Sequence, residues 1–234
     1  MDIHALIEKV QAKLNQIRDL VNQIRSKING LLSKVPAFLE WVVSKVEDLW
    51  NKFCQKMEEF WNWFTDKLAY VGDPFVLKDT GEKWHSELGG PAHRRAGEVE
   101  GDDLLVDDTW TGTAATAYKS KIDGQRNALN TIGRLYASSV SSALNTMKSG
   151  IWIFWITIVS ALVVCALGFI AGIGAEGTII GIPAGLLAQI AAVVGFLLAA
   201  GGATMALKFA ADDSATALRN LNSYADKWPS FALG

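Results

Sequence analysis

The residues best suited to metal, thiol or acid–base chemistry here are three histidines, two cysteines and scattered carboxylates. Glu82 and His85 have the i, i+3 spacing of half a di-iron motif. The helical-bundle enzymes need two such motifs and two further glutamates, and no second motif occurs. Asp102, Asp103, Asp107 and Asp108 form an acidic cluster without the ligand spacing or the glycine of a calcium loop. Asp107 and Asp108 read instead as favourable charge and capping ahead of a helix. Cys54 and Cys165 offer no disulfide framework and no zinc spacing. His4, His85 and His93 sit in unrelated contexts, with no Ser/His/Asp arrangement or phosphate-cradling loop. The expectation is a non-enzyme with no metal and no cofactor. A net charge of −2, with no dense Lys/Arg patch interleaved with aromatics, argues against nucleic acid as a partner.

What the chain has instead is one long apolar stretch, residues 149–207. Between Lys148 and Lys208 Glu176 is the one charged residue, near the middle. The runs on either side each exceed the roughly 20 residues that span a bilayer as a helix. The turn between them, Gly174-Ala175-Glu176-Gly177, is short enough only for a hairpin, and Pro183 falls where a first helical turn accepts it. Trp152 and Trp155, beside Lys148, read as anchors at the membrane interface. The expectation is a transmembrane or membrane-inserting helical hairpin with a lipid bilayer as partner.

Small residues mark one side of each run. Gly181, Gly185, Ala188, Ala192, Gly195, Ala199 and Gly202 recur at steps of four and three, and Thr157, Ala161, Cys165, Gly168 and Gly172 form a matching line. Small side chains let helices approach closely in lipid, where the hydrophobic effect cannot drive association. Two readings stay open: packing within the hairpin or between subunits, and a narrow lumen lined with Thr157, Ser160 and Gln189. No intramembrane charge lines either run, which argues against a transporter.

Four sections follow: 1–36, 37–148, 149–207 and 208–234. In the first, Ile3, Val10, Ile17 and Ile24, and Ile7, Leu14, Val21 and Ile28, repeat as heptads continuing to Leu31 and Val35. Isoleucine at both core positions favours three or more strands, so the helix is either an oligomerisation coiled coil or a cover packed on its own chain. After Pro36 a second helix over 37–70 carries Phe38, Val42, Val46, Leu49, Phe53, Met57, Phe60, Phe64 and Leu68. Its period is 11 residues, and Trp41, Trp50, Trp61 and Trp63 widen the face. Residues 72–108 are rich in helix breakers, and only a short helix over 75–88 is expected there. A long helix follows up to the hairpin, and the tail from Lys208, with Ala211, Leu218 and Leu221 on one face, continues as a helix that packs back.

Within the second section, Trp110-Thr111-Gly112 followed by Ala114, Ala115, Ala117 and Tyr118 resembles the turn of the WxG helical-hairpin family handled by type VII secretion systems. The resemblance covers roughly residues 78–144. It implies two antiparallel helices meeting at the turn, with the aromatics and alanines packed at its tip. It also implies bacterial export without a cleaved signal peptide, and Met1-Asp2-Ile3-His4 opens with no basic segment leading into an apolar one. The family's signal, Tyr followed four residues later by Asp or Glu, is absent at Tyr70, Tyr118, Tyr136 and Tyr224. A WxG-family partner chain would then supply it.

Together these features describe an all-α protein: long amphipathic helices forming a rod or coiled-coil bundle with a two-helix transmembrane hairpin. The leading expectation is a type VII-secreted, oligomerising, pore-forming effector or toxin that is secreted before insertion and ends in a membrane. The alternative is a resident integral-membrane scaffold or secretion-associated component that binds partners through its helices.

Overall fold

A computed structural model describes residues 3–67, 72–99 and 109–225. Every extended element among them is helical: α1 (Ile3–Leu32), α2 (Glu40–Lys67), α3 (Pro74–Lys83), α4 (Gly90–Glu98), α5 (Thr113–Thr131), α6 (Ser138–Ala175) and α7 (Ile182–Ala225). A 3-10 turn, Ala37–Leu39, leads into α2, and π-helical turns join α3 to α4 (Trp84–Gly89) and α5 to α6 (Ile132–Ala137). Leu68, Tyr70, Asp102, Asp103, Asp107, Asp108 and the Ile3, His4 and Tyr224 side chains lie outside the described residues.

By contacts the chain forms two compact units, Met1–Gly72 with Ile151–Leu207 and Asp73–Gly150 with Lys208–Gly234. The first is built from α1, α2 and the hairpin-forming parts of α6 and α7. In α2 the buried residues are Val42, Val46, Leu49, Phe53, Met57, Phe60 and Phe64. Steps of four and three keep these on one face, as the 11-residue period requires. Phe38 is different: it is 79% exposed, because Pro36 starts a 3-10 turn that directs it away from this face.

In α1 the buried line is Leu6, Val10, Ile17, Leu20, Ile24 and Ile28, while Ile7 is exposed and Leu14 and Val21 are half-buried. The heptad seam is therefore turned toward the Leu6 and Leu20 side and spent inside the chain. Arg18 lies 5.5 Å from the centroid of the Trp61 ring, tying α1 to α2. Lys27, near the end of α1, donates to the Ile173 carbonyl near the end of α6. That contact puts the α1–α2 connection at the same end of the bundle as the hairpin turn.

In the second unit α3 and α4 run antiparallel to α5 and the start of α6. A Cβ on Gly81 would lie 3.6 Å from the Leu144 Cβ, and one on Gly89 would lie 3.0 Å from the Ala137 Cβ. Further along, a Cβ on Gly133 would come 3.0 Å from the Gly89 carbonyl, and His93 Nδ1 sits 3.4 Å from Asn130 Oδ1. The two π turns thus face each other across glycines, where bare backbone allows the closest approach. This corrects the expectation that the helix ends by residue 88. It runs through Gly89-Gly90-Pro91, because the π turn lets the Gly90 N–H reach back to the His85 carbonyl as the proline begins a fresh first turn. In α7, Ser214 Oγ donates to the Ala143 carbonyl at 2.9 Å, holding the tail against α6 within this unit.

Candidate membrane-inserting hairpin

Two helical stretches, Thr113–Ala175 and Ile182–Leu221, are long and apolar enough to cross a membrane. Within the first unit they form a hairpin whose turn runs from Glu176 to Gly181. Pro183 occupies the first turn of α7, where no N–H is required, and the Gly181 N–H reaches the Thr178 carbonyl at 3.0 Å. The helix therefore starts at Ile182, four residues later than the apolar run itself.

One face of the hairpin is covered. On α6 it buries Ile151, Phe154, Trp155, Ile158, Leu162, Cys165, Ala166 and Phe169. On α7 the buried line is Ile182, Leu186, Gln189, Val193, Phe196, Ala200 and Ala203. The aromatic face of α2 supplies the cover: Phe60 and Phe196 have ring centroids 4.6 Å apart, Phe64 and Phe196 5.4 Å, Phe53 and Phe169 5.6 Å, and Trp63 and Phe154 6.2 Å. These are the tilted and stacked separations that aromatic pairs prefer.

The opposite face is open and apolar. Ile153, Ile156, Val164, Leu167 and Ile170 of α6 are exposed, as are Leu187, Leu198 and Met205 of α7, Leu198 at 73%. A row of large exposed side chains on both helices is more than scattered surface hydrophobics, and it marks a surface that meets something apolar. At the turn end Phe38, Trp41 and Ile180 are also exposed.

The small-residue lines meet over part of their length. A Cβ on Gly168 would lie 2.5 Å from the Ala192 Cβ, and one on Gly172 would lie 2.8 Å from the Gly185 carbonyl. Gly181 is held against the Ala175 carbonyl. Near the turn, then, the glycines let the backbones touch. Further along, nothing lies within 4 Å of a Cβ built on Gly195 or Gly202. A helix turning every 3.6 residues carries a four-three pattern gradually off the contact line, so the second half of the line faces outward.

Nor do the three polar residues expected to share a lumen point one way. Gln189 is buried, Thr157 is half-buried and Ser160 is exposed. Trp155 departs from its interfacial expectation as well. It is buried in the core, with its ring centroid 5.7 Å from Phe154 and its indole N–H without a partner, while Trp152 is half-buried.

Sequence reasoning missed one group here. Glu176, placed in the turn by the sequence but given no role there, is fully buried, as is Gln189, and Gln189 Nε2 donates to Glu176 Oε1 at 2.8 Å. Burial pushes the Glu176 carboxyl above its ordinary range, while the Gln189 hydrogen bond and the Lys27 charge pull the other way. The one signal in the sequence was its isolation as the single charge in the apolar stretch.

In the second unit the Trp110-Thr111-Gly112 segment leads into α5, with Trp110, Gly112 and Tyr118 exposed where the aromatics were expected to pack. Gly112 has φ +104° and ψ −178°, a conformation essentially restricted to glycine, and it precedes the first turn of α5. Its carbonyl accepts from the Thr116 N–H at 3.1 Å and the Thr116 hydroxyl at 3.2 Å. The Trp110 and Tyr118 ring centroids are 5.8 Å apart, Ala115 is buried, and Ala114 is exposed. Glu82 and His85 are exposed, with Glu82 in an ion pair to Lys78 at 3.4 Å. No group of three or more metal-binding side chains comes together among the described residues.

Comparison with protein-family models, with curated proteins and with solved structures gives no match.

Proposed function

We propose that this protein is a membrane-inserting, oligomerising helical protein of WxG type, exported by a type VII secretion system as a pore-forming effector. One observation carries the reading: the hairpin is covered by an amphipathic pair on one face and exposes aliphatic side chains on the other. An amphipathic cover can detach, because α1 and α2 present charged residues outward and lose only their inner faces when they leave. The open face, Leu187 to Leu198 on α7 and Ile153 to Ile170 on α6, meets lipid first. Exposed Phe38, Trp41 and Ile180 place aromatic and aliphatic anchors at the turn end, the end that leads a hairpin into a bilayer.

Insertion frees the inner faces of α1 and α2. Val10, Ile17, Ile24 and Ile28, now spent within the chain, are then available to pair between copies, and Ile-rich heptads favour more than two strands. The heptads become oligomerisation residues only after the cover leaves. The antiparallel arrangement of α3–α4 with α5, together with the glycine-only backbone at Gly112, supports the WxG reading of the second unit.

The test is release of dye from loaded liposomes by full-length protein purified without detergent. Release that rises when Phe60→Ala weakens the cover supports insertion. Protein that is extracted only by detergent and leaves liposomes intact overturns it in favour of the resident scaffold.

A further inference from the structure

The hairpin turn and the start of α7 hold two unpartnered buried acceptors, Glu176 Oε2 and Gln189 Oε1. They belong to the same two side chains that already share a hydrogen bond, from Gln189 Nε2 to Glu176 Oε1 at 2.8 Å. A buried polar atom without a partner is destabilising, more so when it carries charge. A carboxylate has acceptors only, so in its ionised form Glu176 has nothing to offer the Gln189 oxygen. A neutral carboxyl presents one acceptor and one O–H, the complement of a primary amide. One proton supplies the donor that both orphaned oxygens lack.

We propose that Glu176 is a proton-binding site: in the bundle it holds a proton on Oε2 and forms a reciprocal acid–amide pair with Gln189. The turn is built around this pair. A Cβ on Gly185 would fall 2.5 Å from Glu176 Cγ and 3.0 Å from Oε1, and one on Gly172 would fall 2.6 Å from both Gln189 Cγ and Nε2. Both glycines therefore make the space that the two side chains fill. Lys27 of α1 is the charged group acting on Glu176, and it donates to the Ile173 carbonyl. Gln189 is the facing group from α7. Burial raises the affinity of Glu176 for its proton, in the direction the pair requires.

The consequence follows by linkage. A proton bound more tightly in the bundle than in the open chain stabilises the bundle most below the ordinary glutamate pKa. That contribution is lost as pH rises through the raised one. Between the two values the folding equilibrium constant falls about tenfold per pH unit. In lipid, a neutral turn enters at lower cost than a charged one. That second consequence rests on the membrane-insertion reading, whereas the pair itself does not.

The experiment is denaturant unfolding of the full chain across the carboxylate pH range without lipid, for wild type and Glu176→Gln. The glutamine keeps a donor beside an acceptor and cannot ionise. Wild type is expected to lose stability relative to E176Q by about tenfold in equilibrium constant per pH unit above the ordinary glutamate range. Equal pH slopes for the two proteins overturn the proposal. Carboxyl-carbon NMR of wild type labelled at glutamate decides independently should the variant not fold. One glutamate titrating above the rest supports the site, and all titrating in the ordinary range removes it. Because neither measurement contains lipid, their failure is separate from failure of the liposome test.

Discussion

Gly168 and Ala192 meet so closely that a Cβ on the glycine would sit 2.5 Å from the Ala192 Cβ. No real pair of Cβ atoms occupies that separation, so Gly168→Leu must push α6 and α7 apart. The expected loss is in the range for overpacked cores, about 1–3 kcal/mol, read as a lower denaturant midpoint. Gly195 supplies the contrast. It belongs to the matching small-residue line on α7, yet nothing lies within 4 Å of a Cβ built there, and Gly195→Ala gains helix propensity of about 0.5–1 kcal/mol. Opposite signs at two glycines of the paired small-residue lines are the expected result. A loss at both positions would mean that the open face of α7 is covered in solution.

The contact between Phe60 and Phe196 makes a second prediction. Their centroids are 4.6 Å apart and both side chains are buried, with Phe64 and Trp63 closing around Phe196. Phe60→Ala removes an aromatic from the cover and leaves the hairpin sequence intact. It should cost about 3–5 kcal/mol of stability. The same change should speed liposome release, because the cover leaves more easily while the inserting element is unaltered. Reduced stability together with slower release would separate the cover from the insertion step.

Much of this arrangement is legible in the chain because amphipathic helices declare their faces. Every α2 residue from Val42 to Phe64 that the 11-residue spacing picks out is buried, since the polar residues between them leave no alternative face. The hairpin declares its existence but not its orientation. Both sides of α6 and α7 are apolar, so size was the remaining cue. Size points to the glycines, whereas the buried line on α7 runs through Ile182, Leu186, Val193 and Phe196, beside them. Glu176 escaped for a related reason. A charge in a turn normally means solvent, and only the close approach of Gly172 and Gly185 creates the enclosed space that takes it in. The run Gly89-Gly90-Pro91 reads as a helix stop, and it is passed because a π turn absorbs the proline next to a glycine contact.

Gly112 gives a test confined to the second unit. At φ +104° a side chain is strained whatever the surrounding space, and nothing lies within 4 Å of a Cβ there. Gly112→Ala therefore isolates backbone strain from steric clash, and about 1–3 kcal/mol is expected. The loss should show as faster amide exchange over the first turns of α5, where Thr116 bonds back to the Gly112 carbonyl. Unchanged exchange at Thr116 would mean that the turn adopts another conformation. The Trp110–Tyr118 ring contact would then have to hold the junction unaided.

The two cysteines report on the cover without any engineered label. Cys54 is exposed on α2, and Cys165 is buried on α6, one turn from the Phe169 that packs on Phe53 of α2. Burial raises the Cys54 thiol above its usual range, against the nearby Arg25 charge that lowers it, so its thiolate fraction at neutral pH is smaller than that of a free thiol. A maleimide added in water should label Cys54 alone, and more slowly than it labels free cysteine. The rate should climb as pH rises, because the thiolate is the nucleophile. Cys165 should become reactive only when the cover is loosened, so Phe60→Ala should label at both positions where wild type labels at one. If Cys165 reacts in wild type as readily as Cys54, the cover is not closed over α6 in solution. The hairpin would then be bare on both faces before it meets any lipid.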